Sequence, residues 1–185
     1  MLFYQKLQRM SIIRHFIGLL LIFPLAALSQ GTPQKITVFN GTVELMVPND
    51  LKPMSDKIWQ TKYPGNPKPP LALSDGKGEV NLIARPIAQA LDESQLYDYT
   101  TGLRQELEKN NIHFHFLSNG TLGTKGHMMG YLKFISDAVD QKIFNYMWFA
   151  IKDGKVIQFS LNSPQSLQAD WEPAAEIIAR SVIIK

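Results

Sequence analysis

The segment Ile143 to Ile151 constrains the fold more than any other part of this 185-residue chain. Side chains alternate between the two faces of a β-strand, and here both faces are apolar. One face carries Phe144, Tyr146, Trp148 and Ala150, and the other carries Ile143, Met147, Phe149 and Ile151. Because both faces must be covered, we expect an α+β fold: a three-layer α/β/α sandwich with a mainly antiparallel central sheet.

Turn signals and alternating residues predict the other strands. Three hairpins are expected around Asn40-Gly41, Asp75 to Gly78 and Asp153-Gly154. Two further strands are predicted at Ile112 to Leu117 and His127 to Ile135, joined by a flexible connection, Ser118 to Gly126, that contains three glycines.

Helical spacing of apolar residues predicts two amphipathic helices. The first is capped by Asp92 or Ser94 and runs through Glu108, with Leu96, Tyr99, Leu103 and Leu107 on one face. The second is capped by Ser163 or Asp170 and buries Leu167, Trp171, Ala174, Ile178 and Val182. A short helix capped by Asn49 or Asp50 and ending near Trp59 is also expected.

Residues 1–29 have the pattern of a signal peptide. Scattered positive charge precedes the apolar run from Ile17 to Leu28, which is shorter than the roughly 20 residues that cross a bilayer. Ala27 and Ser29 supply the small side chains that signal peptidase requires, so we expect cleavage before Gln30. The alternative is an uncleaved anchor. Cleavage would leave one domain, residues 30–185, in the periplasm or outside the cell, with no stable membrane insertion.

The charge of the chain argues against nucleic acid as a partner. Three basic residues and no acidic residue lie in the first 29 positions, so 16 basic and 16 acidic residues remain in the expected domain. Phosphate binding requires a basic surface, which a formally neutral domain does not supply.

Several structural features together resemble a known superfamily. The opening hairpin ends at Pro48 before Asp50-Leu51, the Tyr146 to Ile151 strand leads into the Asp153-Gly154 turn, and Trp171, Ile178 and Ser181 mark the last helix. From Lys35 to Lys185 this pattern resembles the PsbP-like α/β/α superfamily of Mog, PsbP and DcrB-like proteins. The resemblance implies a non-catalytic scaffold that binds proteins or supports assembly, and it implies no catalytic residue. DcrB-like bacterial members are typically lipoproteins, whereas this chain has no cysteine for a lipid.

The segment from Tyr63 to Pro70 is a candidate contact surface. It holds four prolines and a glycine in eight residues, which excludes a helix or a central strand. A stiff loop loses little entropy when it binds a partner, although stiffening for stability is the plainer interpretation. The candidate contact residues here are Trp59, Tyr63, Pro64, Pro67 and Pro70.

His113 and His115 form a second candidate contact surface, since alternate residues share one face of a strand. With His127, Met128 and Met147 on neighbouring strands, they also raise the alternative of a periplasmic metal-binding protein or small enzyme. An exposed polar strand face explains the same pattern. Asp137 and Asp140 could share a calcium ion, and the alternative interpretation is a solvated turn.

No catalytic motif is indicated. Ser74 and Lys77 match Ser-x-x-Lys, but they fall on a predicted hairpin turn where no helix can align them. We therefore expect a non-enzymatic, cofactor-free binding or assembly protein of the bacterial envelope, whose partner is an envelope protein or peptide. A small-ligand carrier, recognisable by an enclosed cavity of at least roughly 300 Å³, is the remaining alternative.

Overall fold

A seven-stranded antiparallel sheet lies at the centre of the computed structural model, which describes residues 32–110 and 113–185. Its strand order is β3-β4-β5-β9-β8-β7-β6, and a second sheet has the order β1-β2-β10. The strands are β1 Pro33–Val38, β2 Val43–Pro48, β3 Lys52–Pro53, β4 Leu71–Ser74, β5 Asn81–Ala90, β6 Phe114–Gly123, β7 Met128–Asp137, β8 Lys142–Lys152, β9 Lys155–Pro164 and β10 Ile183–Ile184.

Three helices pack around these sheets: α1 Asp56–Lys62, α2 Leu96–Asn110 and α3 Gln168–Ser181. Short 3-10 turns, Glu93–Gln95 and Gln165–Leu167, lead into α2 and α3. No helix of the described residues is long and apolar enough to cross a membrane. The predicted leader, residues 1–29, and its cleavage site lie outside the described residues.

Both faces of β8 are covered, as its sequence predicted. On one face Phe144, Tyr146 and Trp148 are fully buried in a cluster that includes Trp171 and Ile178 of α3. On the other, Phe149 lies in a second cluster with Leu96 of α2 and Leu132 of β7. Burial of each large side chain contributes on the order of 2 kcal/mol. The α+β fold with helices on both sides of a mainly antiparallel sheet is confirmed.

The small sheet packs on α3 and extends the layer over the same face. Leu45 and Val47 of β2 are fully buried in the cluster that contains Trp148. The Ser181 hydroxyl at the end of α3 accepts a hydrogen bond of 2.8 Å from the Met46 amide of β2. This sheet and α3 together seal one side of the central sheet.

The predicted hairpins form around the expected turns. Asn40 and Gly41 both have positive φ, and the Thr42 amide donates to the Phe39 carbonyl across that turn at 3.2 Å. Asp153 and Gly154, at φ 50° and 72°, join β8 to β9 in the same way. These dipeptides adopt the left-handed backbone that a tight hairpin turn requires.

The predicted flexible connection Ser118 to Gly126 is wrong, because β6 continues through Gly123. A Cβ on Gly120 would lie 3.2 Å from the Tyr131 ring, so glycine there lets an aromatic side chain of β7 pack against the strand. The glycine marks a close approach within the sheet, not a break in it.

Two predicted helix starts are also wrong. The first helix begins after Ser55, whose hydroxyl accepts from the Ile58 amide at 3.2 Å, whereas the residues after Asn49 and Asp50 form β3. Ser163 is 1% exposed at the end of β9, and α3 has no side-chain N-cap. The start of α1 is fixed by a local serine cap, whereas Ser163 is not available as a cap because it is buried at the end of β9.

Candidate functional site

A groove of about 490 Å³ opens between the Tyr63 to Pro70 loop and strands β5 and β9. We call it the proline groove. It lies on the same face of the central sheet as α2, because Gln158 and Ser160 are the cross-strand partners of Phe149 and Met147. Its lining residues are Trp59, Tyr63, Asn66, Pro67, Lys68, Pro69, Pro70, Ile83, Arg85, Pro86, Gln158, Ser160 and Asn162.

Helix α1 holds the aromatic wall of the groove. Trp59 is 4% exposed and packs with Met54, Ala72 and Ile83, which fixes α1 on β4 and β5. Its ring lies 4.3 Å from the Tyr63 ring, tilted by 31°. Burial raises the pKa of the Tyr63 phenol, so this side chain stays neutral at physiological pH.

Side-chain hydrogen bonds hold the middle of the loop, and proline residues restrict it on both sides. The Trp59 indole N–H donates to the Asn66 carbonyl at 2.8 Å. Lys68 donates to the Met54 carbonyl at 2.5 Å and to the Asp56 carboxylate at 2.8 Å, and the Lys68 hydrogen bond lowers the Asp56 pKa. Pro67 restricts φ between Asn66 and Lys68, and Pro64, Pro69 and Pro70 restrict it on either side. The wall is therefore built before any ligand arrives.

The floor of the groove is a row of polar side chains on β9. Gln158, Ser160 and Asn162 are half-buried and occupy alternate positions, roughly 6.6 Å apart along the strand. The Gln158 amide donates to the Ser160 hydroxyl at 3.1 Å, and the Asn162 amide donates to Asn145 at 2.5 Å. Within residues 32–110 and 113–185, the Gln158 and Asn162 side-chain carbonyls accept no hydrogen bond.

Asn162 also belongs to a polar row that crosses the sheet, which the sequence analysis missed. Cross-strand register aligns Ser74, Asn81, Asn162 and Asn145, and each is buried or half-buried. Lys62 of α1 donates to the Gly78 carbonyl and to the Asn81 side chain. Burial lowers the Lys62 pKa, while Asp75 and Glu79 oppose that shift. The row orients the Asn162 amide at the end of the groove.

The charge of the groove is positive. Its lining includes Lys68 and Arg85 but no carboxylate. Lys68 is paired with Asp56, whereas the exposed Arg85 guanidinium has no ion-pair or hydrogen-bond partner in the described part of the chain. Arg85 and Gln158 are direct cross-strand partners, so the guanidinium stands at one end of the polar floor.

The structure brings four of the five predicted contact residues around Trp59 into the groove lining: Trp59, Tyr63, Pro67 and Pro70. Pro64 is exposed in the same loop and lies outside the lining. Sequence reasoning missed the floor, since Gln158, Ser160 and Asn162 show only the ordinary alternation of a strand. The partner strand of Arg85 is set by long-range register, which no local pattern reveals.

The predicted histidine pair lies elsewhere. His113 comes before β6, is 65% exposed at its side chain and has its Nδ1 3.7 Å from Asp137. His115 is exposed on β6, at the edge of the sheet, where β7 and β8 separate it from the groove strand β9. His127 lies at the other end of β7, with its ring nitrogens 3.0 Å from Glu93 and 3.3 Å from the Ile184 carbonyl. Residues 32–110 and 113–185 contain no group of three His, Asp or Glu side chains that could hold a metal ion.

The other motifs have ordinary structural roles here. Ser74 is 4% exposed in β4 and Lys77 lies in the following turn, so no helix aligns a nucleophile with a base. Asp137 forms an ion pair of 2.7 Å with Lys142, and the Lys142 hydrogen bond is the main cause of its lowered pKa.

A second groove, of about 380 Å³, lies between α3 and β7. Lys133 contacts Glu172 at 2.8 Å and Glu176 at 3.7 Å, and the Tyr146 hydroxyl donates to Glu176 at 2.8 Å. Arg180 pairs with Glu176 at 2.6 Å. Because these charged groups pair with one another, this groove offers a ligand fewer unpaired groups than the proline groove does.

Comparisons by sequence find no relative: no protein-family model matches the chain, and no curated protein matches it. Solved structures do match. The chain is similar to cyanobacterial PsbP (CyanoP) from Synechocystis, with a TM-score of 0.56 and 11% identity over 85% of this chain and 95% of that one.

Two further structures support the same fold. LpqN, involved in cell envelope biogenesis of Mycobacterium tuberculosis, matches with a TM-score of 0.54 and 15% identity, covering 83% of this chain and 91% of LpqN. A Bacteroides thetaiotaomicron protein matches with a TM-score of 0.50 and 13% identity, covering 84% of this chain and 49% of its own length. With helices on both faces of the antiparallel sheet, the chain has the PsbP-like fold that its sequence resemblance predicted.

Proposed function

We propose that this chain is an exported, non-catalytic protein of a bacterial envelope that binds an extended segment of another protein in the proline groove. The observation that carries the proposal is the row of Gln158, Ser160 and Asn162 below a preformed aromatic and proline wall. Binding of this kind needs no cofactor and breaks no bond.

The floor matches the chemistry of an extended polypeptide. Side chains at alternate positions of β9 repeat at the same interval as every second amide of an extended chain laid along the strand, which are the amides that point to one side. The side-chain carbonyls of Gln158 and Asn162 accept from peptide N–H groups, and the Ser160 hydroxyl donates to a peptide carbonyl. A purely apolar ligand would bury these groups without partners, which costs free energy.

The wall supplies apolar contact area at low entropic cost. The half-buried Tyr63 and the exposed Pro67 and Pro70 provide this area, while the buried Trp59 packs against the Tyr63 ring. The loop from Pro64 to Pro70 is restricted by its prolines and by Lys68. A surface that is already ordered loses little conformational freedom when a ligand binds. Extended ligands are themselves recognised by aromatic and proline surfaces of this type.

The sequence of the leader supports export. Residues 1–29 combine basic residues with an apolar core of signal-peptide length. We infer that cleavage before Gln30 leaves residues 30–185 as one domain in the periplasm or outside the cell. LpqN, a protein of the same fold, is involved in cell envelope biogenesis, which is compatible with an envelope role here.

Peptide selection tests the proposed function. The full chain, produced in a bacterium with its own leader, is immobilised and panned against random dodecapeptides displayed on phage. Selected peptides are then synthesised with a fluorescein label, and their affinity is measured by fluorescence polarisation. We expect enrichment of peptides that bind the wild-type groove.

Paired serine variants locate the binding site. Ser160→Tyr fills the groove floor, while Ser166→Tyr places the same side chain on an exposed turn next to α3. Selected peptides should lose at least about tenfold in affinity for Ser160→Tyr and bind Ser166→Tyr as they bind the wild type. Failure to enrich any peptide, or equal binding to both variants, would contradict the proposal. Urea unfolding of each variant verifies that it is folded.

A further inference from the structure

We propose that the segment bound in the proline groove carries a carboxylate that pairs with the Arg85 guanidinium. This inference rests on the proposed function, since it names the chemistry of the same ligand. The class of partner is an extended protein segment with an Asp or Glu side chain, or with its own C-terminal carboxylate, at one end of the bound stretch.

Charge complementarity is the first reason. None of the residues that line the groove is acidic, and its two cations are Lys68 and Arg85. Asp56 already neutralises Lys68 at 2.8 Å, and the same ammonium group donates to the Met54 carbonyl. Arg85 is therefore the cation that remains for a ligand, since nothing in the described residues pairs with it.

The position of Arg85 is the second reason. It lies on β5 directly across from Gln158, so its guanidinium stands beside the last residue of the row that runs from Asn162 through Ser160 to Gln158. A segment that follows this row along β9 reaches Arg85 at its end. Pro86 and Ile83 line the same part of the groove and provide apolar surroundings that screen the charge less than bulk water does.

The geometry of the guanidinium group selects the anion. Its planar fork of N–H donors pairs with both oxygens of a carboxylate, and such charge-assisted hydrogen bonds are stronger than neutral ones. For a groove that is open on one side, we expect a carboxylate to improve affinity by about tenfold over an uncharged isostere. The gain should shrink as salt rises, because the ion pair is partly solvated.

Synthetic peptide pools test this inference. Fluorescein-labelled decapeptides with uncharged residues at random positions carry one fixed Glu, Gln or Lys, and each pool is made with an amidated C-terminus. A fourth pool carries the fixed Gln and a free C-terminal carboxylate, so the two sources of carboxylate are separated. Binding to the full chain is measured by fluorescence polarisation at low and at high salt.

Variants at Arg85 assign the preference to this residue. The wild type should bind the Glu pool or the free C-terminal pool about tenfold more tightly than the amidated Gln pool. Arg85→Gln should remove that difference, and Arg85→Glu should favour the Lys pool. Lys125→Glu makes the same change of charge on the exposed turn after β6, which three strands separate from β5, and should leave all affinities unchanged.

Three results would overturn the carboxylate inference. Equal affinity for the Glu, free C-terminal and amidated Gln pools would show that the groove does not select an anion, while its binding of peptides would stand. A preference that persists in Arg85→Gln would assign recognition to another group. Binding by no pool would also defeat the inference, and the phage selection with Ser160→Tyr would decide separately whether the groove binds peptides.

Discussion

Gly130→Ala tests how closely α2 approaches the central sheet. A Cβ at position 130 of β7 would lie 2.7 Å from the Thr100 Cγ2 and 3.1 Å from the Leu96 carbonyl oxygen. Thr100 is fully buried, and its hydroxyl donates to the Tyr97 carbonyl at 3.0 Å, so its methyl group cannot turn away freely. The added methyl group must displace α2 from β7 or strain both elements.

The size of the effect follows from that overlap. Overpacking of a core typically costs about 1–3 kcal/mol, and replacing glycine returns about 0.4–1 kcal/mol by restricting the unfolded chain. We therefore expect Gly130→Ala to lower the free energy of unfolding by about 1–2 kcal/mol. Thr100→Ser removes only the clashing methyl group and should cost about 1 kcal/mol by itself.

A double-mutant cycle isolates the contact. With serine at position 100, alanine at 130 meets less resistance, so the combined variant should be more stable than the sum of the single effects by about 1 kcal/mol. Urea unfolding followed by tryptophan fluorescence measures each variant. Gly123→Ala is the control, because its Cβ would meet only the Met128 sulfur at 3.9 Å. A Gly130→Ala protein as stable as the wild type, or strict additivity with Thr100→Ser, would refute the reasoning.

Three other predictions use separate parts of the chain. Gly102 lies exposed within α2 with open space around it, so Gly102→Ala should raise the free energy of unfolding by about 0.5–1 kcal/mol, seen as a higher urea midpoint, and a lower midpoint would contradict this. Burial raises the Glu176 pKa, but hydrogen bonds from Tyr146 and Arg180 outweigh it and hold the pKa below the ordinary 4.5. This stabilisation is present above pH 4.5 and is lost as the pH falls through the lowered folded-state pKa, so urea midpoints of Glu176→Gln should fall less steeply than those of the wild type below that pH. Mass spectrometry of the exported chain should find Gln30 at its N-terminus, and a retained leader would defeat the export proposal.

Local signals predicted the central layer well because they depend on neighbours in the sequence. The apolar residues on both faces of β8 required a cover on each side, and α2 and α3 supply it. Turn dipeptides such as Asp153-Gly154 specify their own backbone geometry, so the hairpins could be placed without knowledge of the rest of the fold.

Two of the failed predictions depend on residues of other strands. Gly120 was predicted to interrupt the strand, but its lack of a side chain leaves room for the Tyr131 ring of the next strand. Ser163 has the chemistry of a helix cap, yet its place at the end of β9 buries it against the core. Tyr131 lies across from Gly120 on β7, and Phe144 lies across from Ser163 on β8, so the residue types at positions 120 and 163 do not by themselves reveal these contacts.

The sequence predicted the wall of the proline groove but not its floor. Trp59 and Tyr63 were candidates because they adjoin a stiff proline loop that loses little entropy on binding, and they do line the groove. The floor depends on the register that sets Arg85 opposite Gln158 across two strands separated by more than 70 residues. Register of that kind is fixed by the whole sheet, which is why polar residues on β9 gave no functional signal.

The groove exists because one face of the central sheet has less cover than the other. Seven strands span about 29 Å, whereas a helix is about 10 Å wide and covers two or three strands. On the face of α3, the sheet formed by β1, β2 and β10 completes the cover, and that face is apolar. On the opposite face, α2 packs on β6 and β7 while α1 packs near β4, which leaves β9 between them. The polar side chains of β9 keep this gap from exposing apolar surface. A ligand that enters it must therefore satisfy amide and hydroxyl groups as well as contact the aromatic wall, which favours polypeptide over lipid.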